Sequence, residues 1–382
     1  MKILLLGEYS RLHNSLKEGL EKLGHQVTIV GSGDYFKNYP VDIRIENKYT
    51  KGIKLFIKKV IYKLFKIDVS SWSIKRQFFS HQTQLRNYDV VQLINENSFG
   101  CLPDIEIQLL TYIFKHNKNV FLLSCGTDYV SVKYAADNNL KYSVLTPFLE
   151  GRGSKKQFLH IHMRTSPPFE KLHFFLYERI KGVIASDLDY HLPLKNHPKY
   201  LGMIPNPINT DLLKYIDLKI EDKIIIFHGI NTENYFKKGS DIFEAALDLV
   251  AIKHSDKIEI ITVRSLPYKE YIHSFDRAHI VLDQVFSYDQ GYNALEAMAK
   301  GKVVFTGADQ EWLDYYKLKK DTVAINALPD AEKIAQKLEW LIENPDQLKI
   351  ISKNARAFIE REHNGLNVAT SYLKTWEMHS EF

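Results

Sequence analysis

Gly291-Tyr-Asn-Ala-Leu-Glu-Ala-Met-Ala-Lys-Gly301 runs straight into the apolar stretch Lys302-Val-Val-Phe-Thr306. The order is a glycine turn, a short helix with a single acid, a glycine stop and a buried strand. A helix that starts behind a glycine offers N–H groups and the positive end of its dipole, a ready place for phosphate. Glu296 lies about one turn further in, where a carboxylate can accept hydrogen bonds from sugar hydroxyls. A nucleotide that carries a sugar suits this stretch.

Outward from that helix, strand and helix signals alternate through the chain, the pattern of parallel sheets covered on both faces. In the first half, strands are predicted at Lys2–Leu6, Gln26–Val30, Asp89–Ile94, Asn119–Ser124, Gly182–Ser186 and Tyr200–Ile204, with helices at Ser15–Leu23 and Ile105–Lys115. Pro205-Asn-Pro-Ile-Asn-Thr-Asp211 breaks regular structure and reads as a linker. A second series follows, with strands at Lys223–His228, Lys257–Val263, Ile280–Leu282, Val303–Thr306 and Thr322–Ile325. Helices are expected at Ile242–His254, Ala331–Glu343 and Asp346–Thr375, the last broken near Asn364-Gly365. Two doubly wound α/β units joined by a linker are expected to place a ligand-binding cleft between the carboxyl ends of their sheets.

At 382 residues the chain exceeds one ordinary core, in keeping with two domains. Its 45% hydrophobic and 25% charged content is that of a soluble globular protein. Two cysteines, Cys101 and Cys125, form neither a disulfide framework nor a Cys-rich zinc site, which fits a reducing cytoplasm. No secretory leader is expected from Met1–Gly7, and no run approaches the roughly 18 apolar residues of a membrane span. A net charge of +5 allows an anionic ligand without calling for nucleic acid.

The lysines are unevenly placed. Lys51 to Ile67 carries six of them, with no acid between Glu46 and Asp68, and Ile53, Phe56, Ile57, Val60, Ile61 and Leu64 recur at helical spacing. Two readings are open: a core-facing helix with a lysine-rich solvent side, or a helix lying on an anionic leaflet.

The first βα turn, Gly7-Glu-Tyr-Ser-Arg11, has one glycine and lacks the spacing that cradles a dinucleotide, which counts against a dehydrogenase. It can still approach a ligand from the N-terminal side. In the second half Lys238-Gly239, Pro205 to Asn209 and the Glu296-Ala-Met-Ala-Lys-Gly301 run resemble the retaining glycosyltransferases of family 4, which have the two-Rossmann GT-B fold. The likeness is best over about Ile204–Gly307. It implies an N-terminal acceptor domain over 1–204, a donor domain over 205–360 and a C-terminal helix, 361–382, that packs back on the first domain.

The resemblance also implies roles. Lys238 would neutralise the donor diphosphate as a compact charge. Backbone N–H groups of Gly291, Tyr292 and Asn293 would contact it, Glu296 would hold the ribose, and Asn206 would shape the hinge side of the cleft. The Ser124–Asp128 turn falls where such enzymes carry a residue near the donor sugar, which makes Asp128 a catalytic candidate beside Lys238 and Glu296. Gly7 and Gly229 would line the donor path. Departures are present. Tyr288 stands where a second glutamate is usual, with Asp289 and Asp283 as nearby acids that could substitute. The arginine usual after Gly229 is absent, and Arg264 could supply its charge.

The implied activity is transfer of a sugar from a nucleoside diphosphate sugar, a co-substrate rather than a cofactor, to a glycan or lipid-linked acceptor. The resemblance implies retention at the anomeric carbon. No Asp-x-Asp is placed to hold a metal on the diphosphate, because Asp187-Leu-Asp189 precedes the linker, and His160, His162 and His173 are too irregularly placed for a metal site. The expected setting is the cytoplasm, with peripheral membrane contact through 51–67. Competing readings are a nucleotide-sugar epimerase of the same fold and a degenerate member that binds without turnover.

Overall fold

The computed structural model describes every residue except 35, 36, 66, 267 and 382. The chain forms two compact units. Residues 1–132, 161–207 and 365–382 make the first, and residues 133–160 and 208–364 make the second.

The first unit holds seven parallel strands: β1 (Lys2–Leu6), β2 (Gln26–Gly31), β3 (Ile43–Arg44), β4 (Val90–Leu93), β5 (Val120–Ser124), β6 (Gly182–Ala185) and β7 (Tyr200–Met203). Their order is β3-β2-β1-β4-β5-β6-β7. Helices cover both faces, so β4, β5 and β6 are buried along their whole length and read as apolar runs without alternation. Strand β3 has only two residues and escapes any periodicity count. It is held by Asp42, whose carboxylate accepts from the Ile29 amide at 2.7 Å.

The second unit holds β8 (Ile224–Ile230), β9 (Ile258–Arg264), β10 (Ile280–Leu282), β11 (Val303–Thr306) and β12 (Ile325–Asn326), all parallel, in the order β12-β11-β10-β8-β9. The last strand starts later than the pattern predicts. Asp321 has a left-handed backbone (φ 59°), so residues before Ile325 bend rather than pair.

Sequence predicts a single cut after residue 204. In the structure the border falls after 207, and residues 133–160 belong to unit 2, because Tyr142 and Arg152 pack and pair there. The break expected near Asn364-Gly365 divides the Pro345–Glu362 and Gly365–His379 helices. The Gly365–His379 helix packs in unit 1 on the Leu12–Lys22 helix. A Cβ on Gly19 would come within 2.7 Å of the Ala369 methyl, so that glycine sets the approach of the two helices. Trp376 of the C-terminal helix is fully buried, and its indole N–H donates to the Gln92 side-chain oxygen of β4 at 3.0 Å.

Of the two readings of Lys51–Ile67, the core-facing one fails: the Gly52–Phe65 helix buries none of its residues. Among the described residues no helix is long and apolar enough to cross a membrane.

Trp376→Ala removes a large core side chain and leaves the buried Gln92 amide without its donor. It is expected to cost about 3–5 kcal/mol, read as a lowered urea midpoint by circular dichroism.

Candidate active site

In unit 2 the chain direction across the sheet reverses between β8 and β10. The crevice outside the carboxyl ends of two such strands is where open α/β sheets bind ligands. Lys238 follows β8, Asp283 follows β10 directly, and the Tyr292–Ala299 helix starts just beyond.

The Lys238 ammonium lies 2.9 Å from Asp283 Oδ1; the Asp283 side chain is 0% exposed and that of Lys238 is 33% exposed. The Asn293 amide donates to the same carboxylate oxygen at 3.2 Å, and the Tyr271 hydroxyl donates to the Asn293 side-chain oxygen at 2.7 Å. A buried carboxylate thus holds one end of a half-open ammonium in place. The backbone joins in, since the Val285 amide donates to the Lys238 carbonyl at 3.0 Å. Gly239 allows this approach, because it has φ 71° and any Cβ there would meet the Val285 side chain at 2.7 Å. The Lys-Gly pair therefore has a steric reason for its second member.

Gly291 starts its helix with no side-chain cap, and the first turn holds no acid. A Cβ at Gly291 would meet nothing closer than 3.7 Å, so the glycine leaves room above the helix start. Gly301 ends the helix at φ 83°, with its amide on the Met298 carbonyl and that of Lys302 on the Ala297 carbonyl. Glu296 is half-buried one turn in.

Arg264 stands at the end of β9, opposite Ile230, and pairs with Glu244. Gly229 lies in β8 against the Tyr271 ring. Neighbouring His228 was not anticipated from the sequence, although a histidine closing an Ile-Ile-Ile-Phe strand was the available signal. It is buried, and its titration is pushed down to about 4 by burial, then by the charges of Arg264 and Lys238.

Tyr288 and Asp289, both expected on the donor path, turn inward instead. The Tyr288 ring stacks on Tyr142 at 5.0 Å, and its hydroxyl accepts from the Lys141 amide at 2.9 Å. Asp289 is buried, and its carboxylate accepts from the Gln290 amide at 2.8 Å. Of the acids weighed for the missing glutamate, Asp283 is the one that faces Lys238. The 133–160 segment that engages Tyr288 is held further by Arg152, 2.7 Å from Asp241.

Unit 1 has its own reversal, between β1 and β4. Gly7 has φ 89°, and its carbonyl meets His13 Nδ1 at 2.7 Å. Glu8, next to it, is buried. One of its oxygens accepts from the Asn14 amide at 2.9 Å and from the Asn14 side chain at 2.5 Å, while the other has no partner among the described residues. Burial pushes its carboxyl up to about 7. After β4, Glu96 is buried 2.7 Å from His173 Nδ1 and also accepts the Tyr129 amide at 3.0 Å. Asp128, expected near the donor sugar, is buried; its carboxylate accepts from the Ser124 hydroxyl and, at 2.8 Å, from the Ser131 amide. That is the work of a helix cap. Asn206 is buried within unit 1. Among the described residues no group of three or more His, Cys, Asp or Glu could hold a metal ion.

Residues 240–374 match the protein family described as Glycosyl transferase-like. No curated protein sequence matches the chain. Among solved structures, the chain resembles Anabaena Alr3699/HepE in complex with UDP and glucose, at 12% identity and TM-score 0.58, over 99% of this chain and 100% of that one. It resembles sucrose-phosphate synthase from Thermosynechococcus elongatus at 14% identity and TM-score 0.62, over 99% and 98%. UDP-GlcNAc 2-epimerase from Neisseria meningitidis bound to UDP-GlcNAc is similar at 14% identity and TM-score 0.51, over 99% and 100%. The fold is therefore the two-Rossmann GT-B architecture, and the glycosyl transferase-like match lies in its second unit up to residue 364 and runs ten residues into the C-terminal helix of the first.

Glu8 makes stability depend on pH. Its folded pKa of about 7 exceeds the ordinary 4.5, so between these values the folded protein keeps a proton that the unfolded chain has lost. Stability is full below the lower value and declines as pH rises through the upper, by up to ~3 kcal/mol from this group. Glu8→Gln is expected to flatten the slope in urea titrations between about pH 5 and about pH 8. Buried Glu106, also raised to about 7 by burial, and buried Glu96, raised by burial, leave a residual slope of the same sign, while His13 and His228, pushed down to about 4 by burial, act in the opposite sense.

Proposed function

We propose that the protein is a glycosyltransferase that moves a sugar from a nucleoside diphosphate sugar to a glycan or lipid-linked acceptor. The reading includes retention at the anomeric carbon and no metal on the diphosphate. The observation that carries it is the Lys238 ammonium, fixed by buried Asp283 at the reversal point of the unit 2 sheet, beside a glycine-started helix.

Cleavage of the anomeric C–O bond leaves negative charge on the diphosphate. An ammonium held in place before the reaction, with amide N–H groups at a helix start, stabilises that charge without having to reorganise. Lys238 takes the phosphate oxygens in this scheme, and Gly291, Tyr292 and Asn293 supply backbone donors. Glu296 accepts from the ribose hydroxyls. Arg264, tethered by Glu244, adds a second positive charge near the end of β8. The acceptor hydroxyl attacks from the face the diphosphate leaves, and a departing phosphate oxygen takes its proton. The Anabaena protein of the same fold, solved with UDP and with UDP-glucose, supports a nucleotide-sugar donor. The setting proposed is the cytoplasm, with peripheral attachment to the inner face of the membrane.

Lys238→Gln keeps a hydrogen-bond donor for Asp283 and removes the charge. It is expected to lower turnover by about 10²-fold, measured as released nucleoside diphosphate. Asp283→Asn is expected to lower it less, because the ammonium remains but loses its anchor. Thermal shift with UDP-sugars and GDP-sugars identifies the donor by mass action. An epimerase keeps the nucleotide linkage, so turnover of the sugar with no free diphosphate would overturn transfer in favour of that reading.

A further inference from the structure

The Gly52–Phe65 helix has its faces the wrong way round for a core element. Ile53, Phe56, Ile57, Val60 and Leu64 each stand three or four residues from another of the set, so they share one stripe, with half-buried Ile61 at its edge. They are 38% to 75% exposed. The side turned toward the rest of unit 1 is the opposite one, where Leu55 and Lys58 are half-buried and Lys58 pairs with Asp68 at 3.5 Å. Lys54, Lys59 and Lys63 flank the apolar stripe and are exposed. Beyond the helix end Ile67 is 44% exposed, and Trp72 in the next helix is 56% exposed with the Lys75 ammonium 5.0 Å from its ring.

A contiguous apolar stripe left in water marks a contact surface. Its chemistry selects the occupant. A helix of 14 residues is about 21 Å long, too short to span a bilayer but long enough to lie in its interface. Aromatic and branched side chains on one face, rimmed by lysines with no acid from residue 47 to 67, match hydrocarbon beneath a negative headgroup layer. A second copy would set lysine rim against lysine rim, and like charges disfavour that pairing.

We propose that the Gly52–Phe65 helix is a monotopic anchor that sinks the Ile53, Phe56, Ile57, Val60 and Leu64 stripe into a bilayer rich in anionic phospholipid. Lys54, Lys59 and Lys63 sit among the headgroups, and Lys58 stays with the protein. This gives a specific surface to the peripheral placement proposed above, and rests on that placement but on no step of the transfer chemistry.

The test is co-sedimentation of the full chain with phosphatidylcholine vesicles, with and without phosphatidylglycerol, at low and high salt. The wild type is expected to bind the anionic vesicles and to be released by salt. The triple change Lys54→Gln, Lys59→Gln, Lys63→Gln is expected to weaken binding about a hundredfold and to abolish the salt effect. The double change Phe56→Ser, Leu64→Ser is expected to remove binding at both salts with the thermal midpoint unchanged, since both side chains are exposed. Equal binding by the double variant and the wild type, or no preference for phosphatidylglycerol, overturns the proposal. So does a wild-type dimer in light scattering that the double variant lacks, which would assign the stripe to a second copy. No donor or acceptor is present in the assay, so a failed transfer reading leaves its outcome untouched.

Discussion

A carboxylate with no exposed surface must keep a positive partner, because an unpaired buried charge costs several kcal/mol. Asp283 meets that demand with Lys238, and the rest of the candidate site follows from the pairing. It draws the turn after β8 onto the end of β10 and orients Asn293, which in turn takes the Tyr271 hydroxyl. The ammonium donates to Asp283 while a third of the Lys238 side chain stays exposed. A lysine on a solvated loop would spend side-chain entropy to reach a phosphate, whereas this one is already placed.

Tyr288, where the resemblance would put an acid, is held by packing instead. Its ring and hydroxyl hold the Lys141–Tyr142 stretch to unit 2, so the position has a packing task that a carboxylate could not perform. The acid that faces Lys238 is Asp283, five residues earlier in the chain. In unit 1 acids also gather after β1, β4 and β5, but Glu96 and Asp128 are satisfied inside the fold. Glu8 differs, with one oxygen anchored by Asn14 and the other without a partner among the described residues.

The lysine-rich helix shows where periodicity stops being informative. Spacing establishes that Ile53, Phe56, Ile57, Val60 and Leu64 share a face, and it says nothing about what that face meets. Only the attachment of Leu55 and Lys58 to unit 1 turns the stripe outward.

Local physics made much of this protein legible from its residues. Apolar runs bounded by turns located the strands, and the two glycines at 291 and 301 bracketed the helix. The Lys-Gly pair and the linker at 205–211 were visible for the same reason: each depends on backbone preference or repeat period within a few residues. Strand order was not legible, and neither was anything that depends on it. Lys238 and Asp283 are 45 residues apart, and they meet because β8 and β10 are neighbours in the sheet. Asp128 is a candidate by its place in the sequence, whereas its partners, Ser124 and Ser131, are set only once the turn folds around it. Sequence determined which segments form and which chemistries they carry; tertiary structure decided which charges are buried together, because desolvation and pairing act between strands rather than along them.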